Sequence, residues 1–107
     1  MKLRVYGEML EVLRSLPPLL KKVERCDPDL HRQLPKAAAS VLLNLAEGEG
    51  SSGGNRVLRF KTALGSAQET KACLHAADAL EYCTVPEPVM ERVDKVIGMT
   101  VRLVYQR

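Results

Sequence analysis

The chain has 107 residues, of which 46% are hydrophobic and 27% charged, a balance that excludes intrinsic disorder as its main state. Aromatic residues are confined to Phe60, Tyr6, Tyr82 and Tyr105, there is no Trp, and Ile97 is the sole isoleucine, so the core must be built from Leu, Val and Ala. That disfavours a β-rich fold, which draws on aromatic and β-branched residues in short alternating runs. The net charge of +3 falls short of a dedicated nucleic-acid module. It is also unevenly spread: residues 1–36 carry eight basic and five acidic side chains, and the remainder is close to balance.

Four stretches show apolar residues at helical spacing. The first helix, expected over about residues 3–25, contains Val5, Met9, Leu10, Leu13, Leu16, Leu20 and Val23. Pro17 and Pro18 fall inside it and should kink or split it near Ser15 and Leu16, because proline lacks the N–H and crowds the preceding turn. Asp27 then caps a second helix over about 28–47, with Pro28 at its first position and Leu30, Leu34, Ala37, Ala38, Val41, Leu42 and Leu45 inward. Pro35 is expected to bend it.

The run Gly48-Glu49-Gly50-Ser51-Ser52-Gly53-Gly54 has linker composition, and Asn55 is a natural cap for a third helix over about 55–81. That helix carries Val57, Leu58, Phe60, Ala63, Leu64, Ala67, Leu74, Ala77 and Leu80, and its Gly65 suggests a close helix–helix approach. Thr84-Val85-Pro86-Glu87-Pro88 breaks the chain before a fourth helix over about 87–105, which holds Val89, Val93, Val96, Ile97, Val101 and Val104 and frays at Gln106 and Arg107. The expected architecture is a single all-α domain over 1–107, an up-down-up-down four-helix bundle with short loops and proline kinks in helices 1 and 2.

Little in the chain favours catalysis. Gly48 to Gly53 spells GxGxxG, but a dinucleotide fingerprint needs a strand before it and a helix directly after, and here a helix precedes it. The two histidines, His31 and His75, have no glutamate three residues before them, as a di-iron bundle requires. Cys26, Cys73 and Cys83 are an odd number at wide spacing, matching neither a disulfide framework nor a zinc site. Reduced thiols in a cytoplasmic protein, with no cofactor, metal or membrane span, are the expectation. Asn44, Glu47, Ser66 and Glu69 lie close to the apolar seams and read as helix-to-helix hydrogen-bonding groups that set register.

The cations offer the one binding surface worth weighing. Arg14, Lys21, Lys22, Arg25, Arg32 and Lys36 span the end of the first helix and the start of the second, and Arg56, Arg59 and Lys61 begin the third. A solvated bundle surface is the simpler reading; a phosphate-binding face is the functional one. No aromatic residue interleaves with them, so stacking on single-stranded bases has no support.

Two segments resemble a known family. Residues 30–48, LHRQLPKAAASVLLNLAEG, are similar to the signature Q-x-x-[RK]-A-A-x-S-[IV]-x-x-N-[IL]-A-E-G of the bacterial four-helix-bundle proteins encoded in 23S rRNA intervening sequences. Residues 60–69, FKTALGSAQE, resemble the same family's F-x-x-A-x-G-S-x-x-E. The resemblance implies that Asn44, Glu47, Gly48, Gly65, Ser66 and Glu69 determine fold and assembly. It further implies a homo-oligomeric ring, pentameric in related proteins, and kinship with the accessory variability determinant of diversity-generating retroelements, whose partners are a reverse transcriptase and nucleic acid. Two departures stand out: the loop after Gly48, usually rich in Arg and Lys, is acidic and Gly-rich here, and Pro35 replaces a helix-compatible residue. The leading expectation is a non-enzymatic oligomeric adaptor that binds RNA or DNA or a reverse transcriptase. The alternative is a protein-interaction scaffold with no nucleic-acid partner.

Overall fold

A computed structural model describes residues 3–105 and contains four helices: α1 (Arg4–Cys26), α2 (Pro28–Glu49), α3 (Gly53–Ala79) and α4 (Glu87–Tyr105). Each packs on its two neighbours in a closed square, α1 on α2 and α4, and α3 on α2 and α4, with α2–α3 the most extensive seam. The expected up-down-up-down bundle is the observed fold. The fraying anticipated at Gln106 and Arg107 lies outside the described residues.

The buried side chains explain the packing. In α1 they are Val5, Met9, Val12, Leu16, Leu19 and Val23, a strict alternation of three- and four-residue steps. In α3, Phe60, Ala63, Ala67, Thr70, Leu74 and Ala77 repeat the same rhythm. This spacing keeps a narrow seam facing the partner helices and suits the shallow crossing of a bundle. The seam of α1 therefore runs through Val12 and Leu19, where the sequence pattern had placed Leu13 and Leu20, which are only half-buried. Leu58 of α3 and Leu80 at its C-terminal cap, also expected inside, are exposed.

Prolines do not divide α1. The helix is continuous through Pro17 and Pro18 because the buried seam is unbroken on both sides of them: Leu16 and Leu19 are both in the core. Both rings lie on the exposed face, where carbonyls that lose a helical donor can be hydrated. Pro35 is likewise inside a continuous α2.

The connections are tighter than composition suggests. Asp27 caps α2 as expected, its Oδ1 accepting from the Leu30 N–H at 3.0 Å, and its Oδ2 accepts from the Tyr82 hydroxyl at 3.2 Å, tying the first connection to the third. Between α2 and α3 only Gly50, Ser51 and Ser52 are non-helical, since α2 continues through Gly48 and Glu49 and α3 begins at Gly53. Asn55 is therefore not the cap of α3. Ser52 holds the extended cap conformation, and Asn55 donates to the Ser51 hydroxyl from inside the helix. The α3 terminus is a Schellman turn: Tyr82 N–H reaches Ala77 O at 2.9 Å and Glu81 N–H reaches Asp78 O at 3.0 Å. Its left-handed position is Glu81, at φ 61°.

Ordinary L-residues pay a steric penalty there that glycine avoids. Glu81→Gly should therefore raise stability by about 0.5–1 kcal/mol, measured by denaturant melting. The thiols supply a second check. Burial, reinforced by Glu69, pushes the Cys73 thiol above its ordinary range, and burial with Asp78 does the same to Cys83, Lys22 opposing weakly. Cys26 is exposed. A thiol reagent should label Cys26 rapidly in the folded protein and reach Cys73 and Cys83 only on unfolding.

Candidate functional site

The two sequence signatures meet face to face across the α2–α3 seam. Ser40 of α2 and Ser66 of α3 share a hydrogen bond between hydroxyls at 2.8 Å, and Asn44 braces Ser40 from one turn along, donating to its carbonyl at 2.9 Å and its hydroxyl at 3.2 Å. Nearer the loop, the Arg59 Nε pairs with Glu47 at 3.0 Å. Of the polar residues expected to bridge helices, Ser66 and Glu47 do so directly and Asn44 acts through Ser40. Glu69 is exposed and makes no cross-helix bond among the described residues; its charge adds to the burial that raises the neighbouring thiol of Cys73.

Glycine does its work at position 48. A Cβ built there would stand 2.5 Å from one carbon of the Phe60 ring and 2.7 Å from another. Phe60, only 1% exposed, fills the space that any side chain on Gly48 would need. The Arg56 guanidinium lies 4.9 Å from the centre of the same ring, and its Nη1 donates to the Gly48 and Glu49 carbonyls at 3.1 and 3.2 Å. Arg56 thus caps the end of α2 while resting on the aromatic face. Gly65, expected to mark the close approach, does not: it is exposed, and a Cβ there meets nothing within 4 Å. The GxGxxG run is absorbed into this corner, its first two residues helical and its preceding element a helix.

The nine candidate cations do not form one surface. Arg14 pairs with Glu11 and Arg32 with Asp29 along their own helices, Arg59 with Glu47, and Arg56 is held by the α2 terminus. Antiparallel helices place Lys21, Lys22, Arg25 and Arg32 at one end of the bundle and Arg56, Arg59 and Lys61 at the other. Lys36 is one turn beyond Arg32 on α2, and Arg14 sits midway along α1. Lys21, Lys22 and Arg25, all exposed, line a shallow groove of about 400 Å³ with Pro17 and Pro18. Among the described residues none of these three has a carboxylate within ion-pair distance, nor has Lys36 or Lys61.

The seams differ in the same sense. Ion pairs join α1 to α4 (Arg92 and Lys95 to Glu8), α3 to α4 (Lys71 to Asp94) and α2 to α3 (Arg59 to Glu47), while none among the described residues joins α1 to α2. On α1 and α2 the ion pairs among the described residues, Arg14 with Glu11 and Arg32 with Asp29, are within one helix, and Lys21, Lys22, Arg25 and Lys36 are left outside them. No group of three His, Cys, Asp or Glu among the described residues is close enough to hold a metal ion, and no described helix is long and apolar enough to cross a membrane.

Comparison with known proteins agrees with the signatures. The family model described as 23S rRNA-intervening sequence protein matches residues 1–102, and the chain belongs to that family. A crystal structure of a protein of unknown function from the S23 ribosomal protein family of Bacteroides thetaiotaomicron superposes with a TM-score of 0.84 over 95% of this chain and 99% of that one, at 19% identity. The shared feature at that identity is the fold. None of the curated proteins matches the chain.

The two glycines separate packing from propensity. Gly48→Ala forces a methyl against a buried ring and should destabilise by about 1–3 kcal/mol. Gly65→Ala, on an open helical surface, should stabilise by up to about 1 kcal/mol. Thermal melting of both variants checks the pair.

Proposed function

We propose that this member of the 23S rRNA-intervening sequence protein family is a non-enzymatic helical adaptor that docks nucleic acid on the basic, exposed face at the C-terminal end of α1. The observation that carries the reading is the set of exposed cations Lys21, Lys22 and Arg25 of α1, with Lys36 of α2, none of which has a carboxylate within ion-pair distance among the described residues. Paired cations elsewhere are already neutralised; these remain able to displace counterions from a phosphate backbone. Positions 18, 21, 22 and 25 recur at helical spacing, so the charges form a stripe along α1 beside Pro18. A stripe of this kind contacts phosphates, which position the protein and carry no base sequence.

Three or four cations bind weakly as a monomer, and assembly into a ring, as the family resemblance implies, would multiply the contacts. Leu43 at 61% exposure and Leu58 at 56% supply apolar surface for such an assembly to cover. The same exposed leucines favour the second reading, a protein-interaction scaffold without nucleic acid, for which a reverse transcriptase is one candidate partner.

Fluorescence anisotropy with structured RNA and duplex DNA across a salt series tests the first reading. Binding should weaken steeply with salt, and replacing Lys21, Lys22 and Arg25 by Gln should lower the log–log slope by about two to three for duplex DNA. Absence of binding at low salt overturns it. Partners that persist after nuclease treatment would then support the scaffold, and native mass measurement reports the assembly.

A further inference from the structure

At the opposite end of the bundle, the starts of α1 and α3 and the end of α4 enclose an open cleft of about 480 Å³. Three of its lining side chains are arginines: Arg4, Arg56 and Arg102. None has a carboxylate within ion-pair distance among the described residues. Like charges gathered in one concavity repel one another unless an anion sits between them. The first turn of α1, which lines the same cleft, contains no acidic residue and has no side-chain cap, so the helix end adds to the positive potential there.

The cleft is also partly pre-arranged. Arg56 spends its Nη1 on the Gly48 and Glu49 carbonyls and rests on Phe60, which fixes the plane of its guanidinium. Its Nη2 and Nε hydrogens have no acceptor among the described residues. Arg4 and Arg102 are exposed at the rim. Half-buried Leu3, Met99 and Leu103 supply an apolar wall. A cleft of this size, with one apolar wall and three arginines around it, falls in the volume range of small-molecule sites.

We propose that this cleft binds a phosphate monoester of mononucleotide size, the phosphoryl group held among Arg4, Arg56 and Arg102 and the organic body lying on the apolar wall. Guanidinium favours phosphate through paired N–H donors in a planar fork. A phosphomonoester, with nearly two negative charges and three acceptor oxygens at neutral pH, answers three cations better than a single carboxylate does. The site does not depend on the nucleic-acid reading: Arg4 lies roughly 25 Å along α1 from Lys21 at 1.5 Å per residue.

Calorimetric titration in phosphate- and sulfate-free buffer at low salt tests it, with 5′-AMP, inorganic phosphate and adenosine as probes. The expected result is that 5′-AMP binds, phosphate competes with it, and adenosine does not bind. Arg4→Gln and Arg102→Gln, both at exposed positions, should each weaken 5′-AMP by about tenfold while circular dichroism and melting report an intact fold. Replacing Lys21, Lys22 and Arg25 by Gln should leave 5′-AMP binding unchanged, so that loss of nucleic-acid binding and loss of this site are read separately. No binding of 5′-AMP or phosphate at millimolar concentration overturns the proposal. So does adenosine binding as tightly as 5′-AMP, or undiminished 5′-AMP binding by both arginine variants.

Discussion

Contact between the Phe60 ring and the bare backbone of Gly48 sets how closely α2 and α3 approach, and the rest of the bundle is arranged around that pair. With no Cβ at 48, the ring closes the end of the α2–α3 seam, and small residues continue the close packing along it: Ala37 and Ala38 on one side, Ala63 and Ala67 on the other. The polar bonds follow the same register. Ser40 finds Ser66, Glu47 finds Arg59, and Arg56 reaches the last carbonyls of α2 because the two helices are already at the correct height. These polar contacts are worth little singly in exposed positions, but each is satisfied only in one alignment, so together they select it.

Much of this could be read from the chain. Four helices follow from apolar spacing and from punctuation at Asp27-Pro28, in the Gly48–Gly54 run and in the Thr84–Pro88 segment. Asp27 as a cap was legible because side-chain capping is a local interaction. What escaped is non-local. Whether Gly48 or Gly65 meets another helix depends on which face each presents, and one residue of helical rotation decides it. The shift of the α1 seam from Leu13 and Leu20 to Val12 and Leu19 has the same origin, since in a leucine-rich helix several stripes compete and only the neighbours choose. Asn55 was misread because glycines at 53 and 54 look like loop, although tertiary packing can carry a helix through them.

Charge was the least legible property. Order along the sequence suggested six cations around the first connection and three at the start of the third helix, whereas an antiparallel bundle separates residues that are near in order and joins residues that are far apart. Arg4, Arg56 and Arg102 are 46 or more positions from one another in the chain, yet line one cleft. Arg14, Arg32 and Arg59, prominent in the sequence, are spent on carboxylates. Three-dimensional pairing, more than net charge, determines which cations a partner can use.

The unbroken passage of α1 through Pro17 and Pro18 has a consequence for the order of folding. Two adjacent prolines remove two backbone donors and impose a propensity cost of several kcal/mol on an isolated segment. Alone, α1 lacks the means to remain helical through its middle; its seam side chains must find the other helices to compensate. The α2–α3 hairpin carries one interior proline, Pro35, against two adjacent ones in α1, and has the most extensive seam, which makes it the natural template. The helix that presents Lys21, Lys22 and Arg25 is thus a dependent one, and the local opening of that segment is coupled to how firmly α2 and α4 hold it.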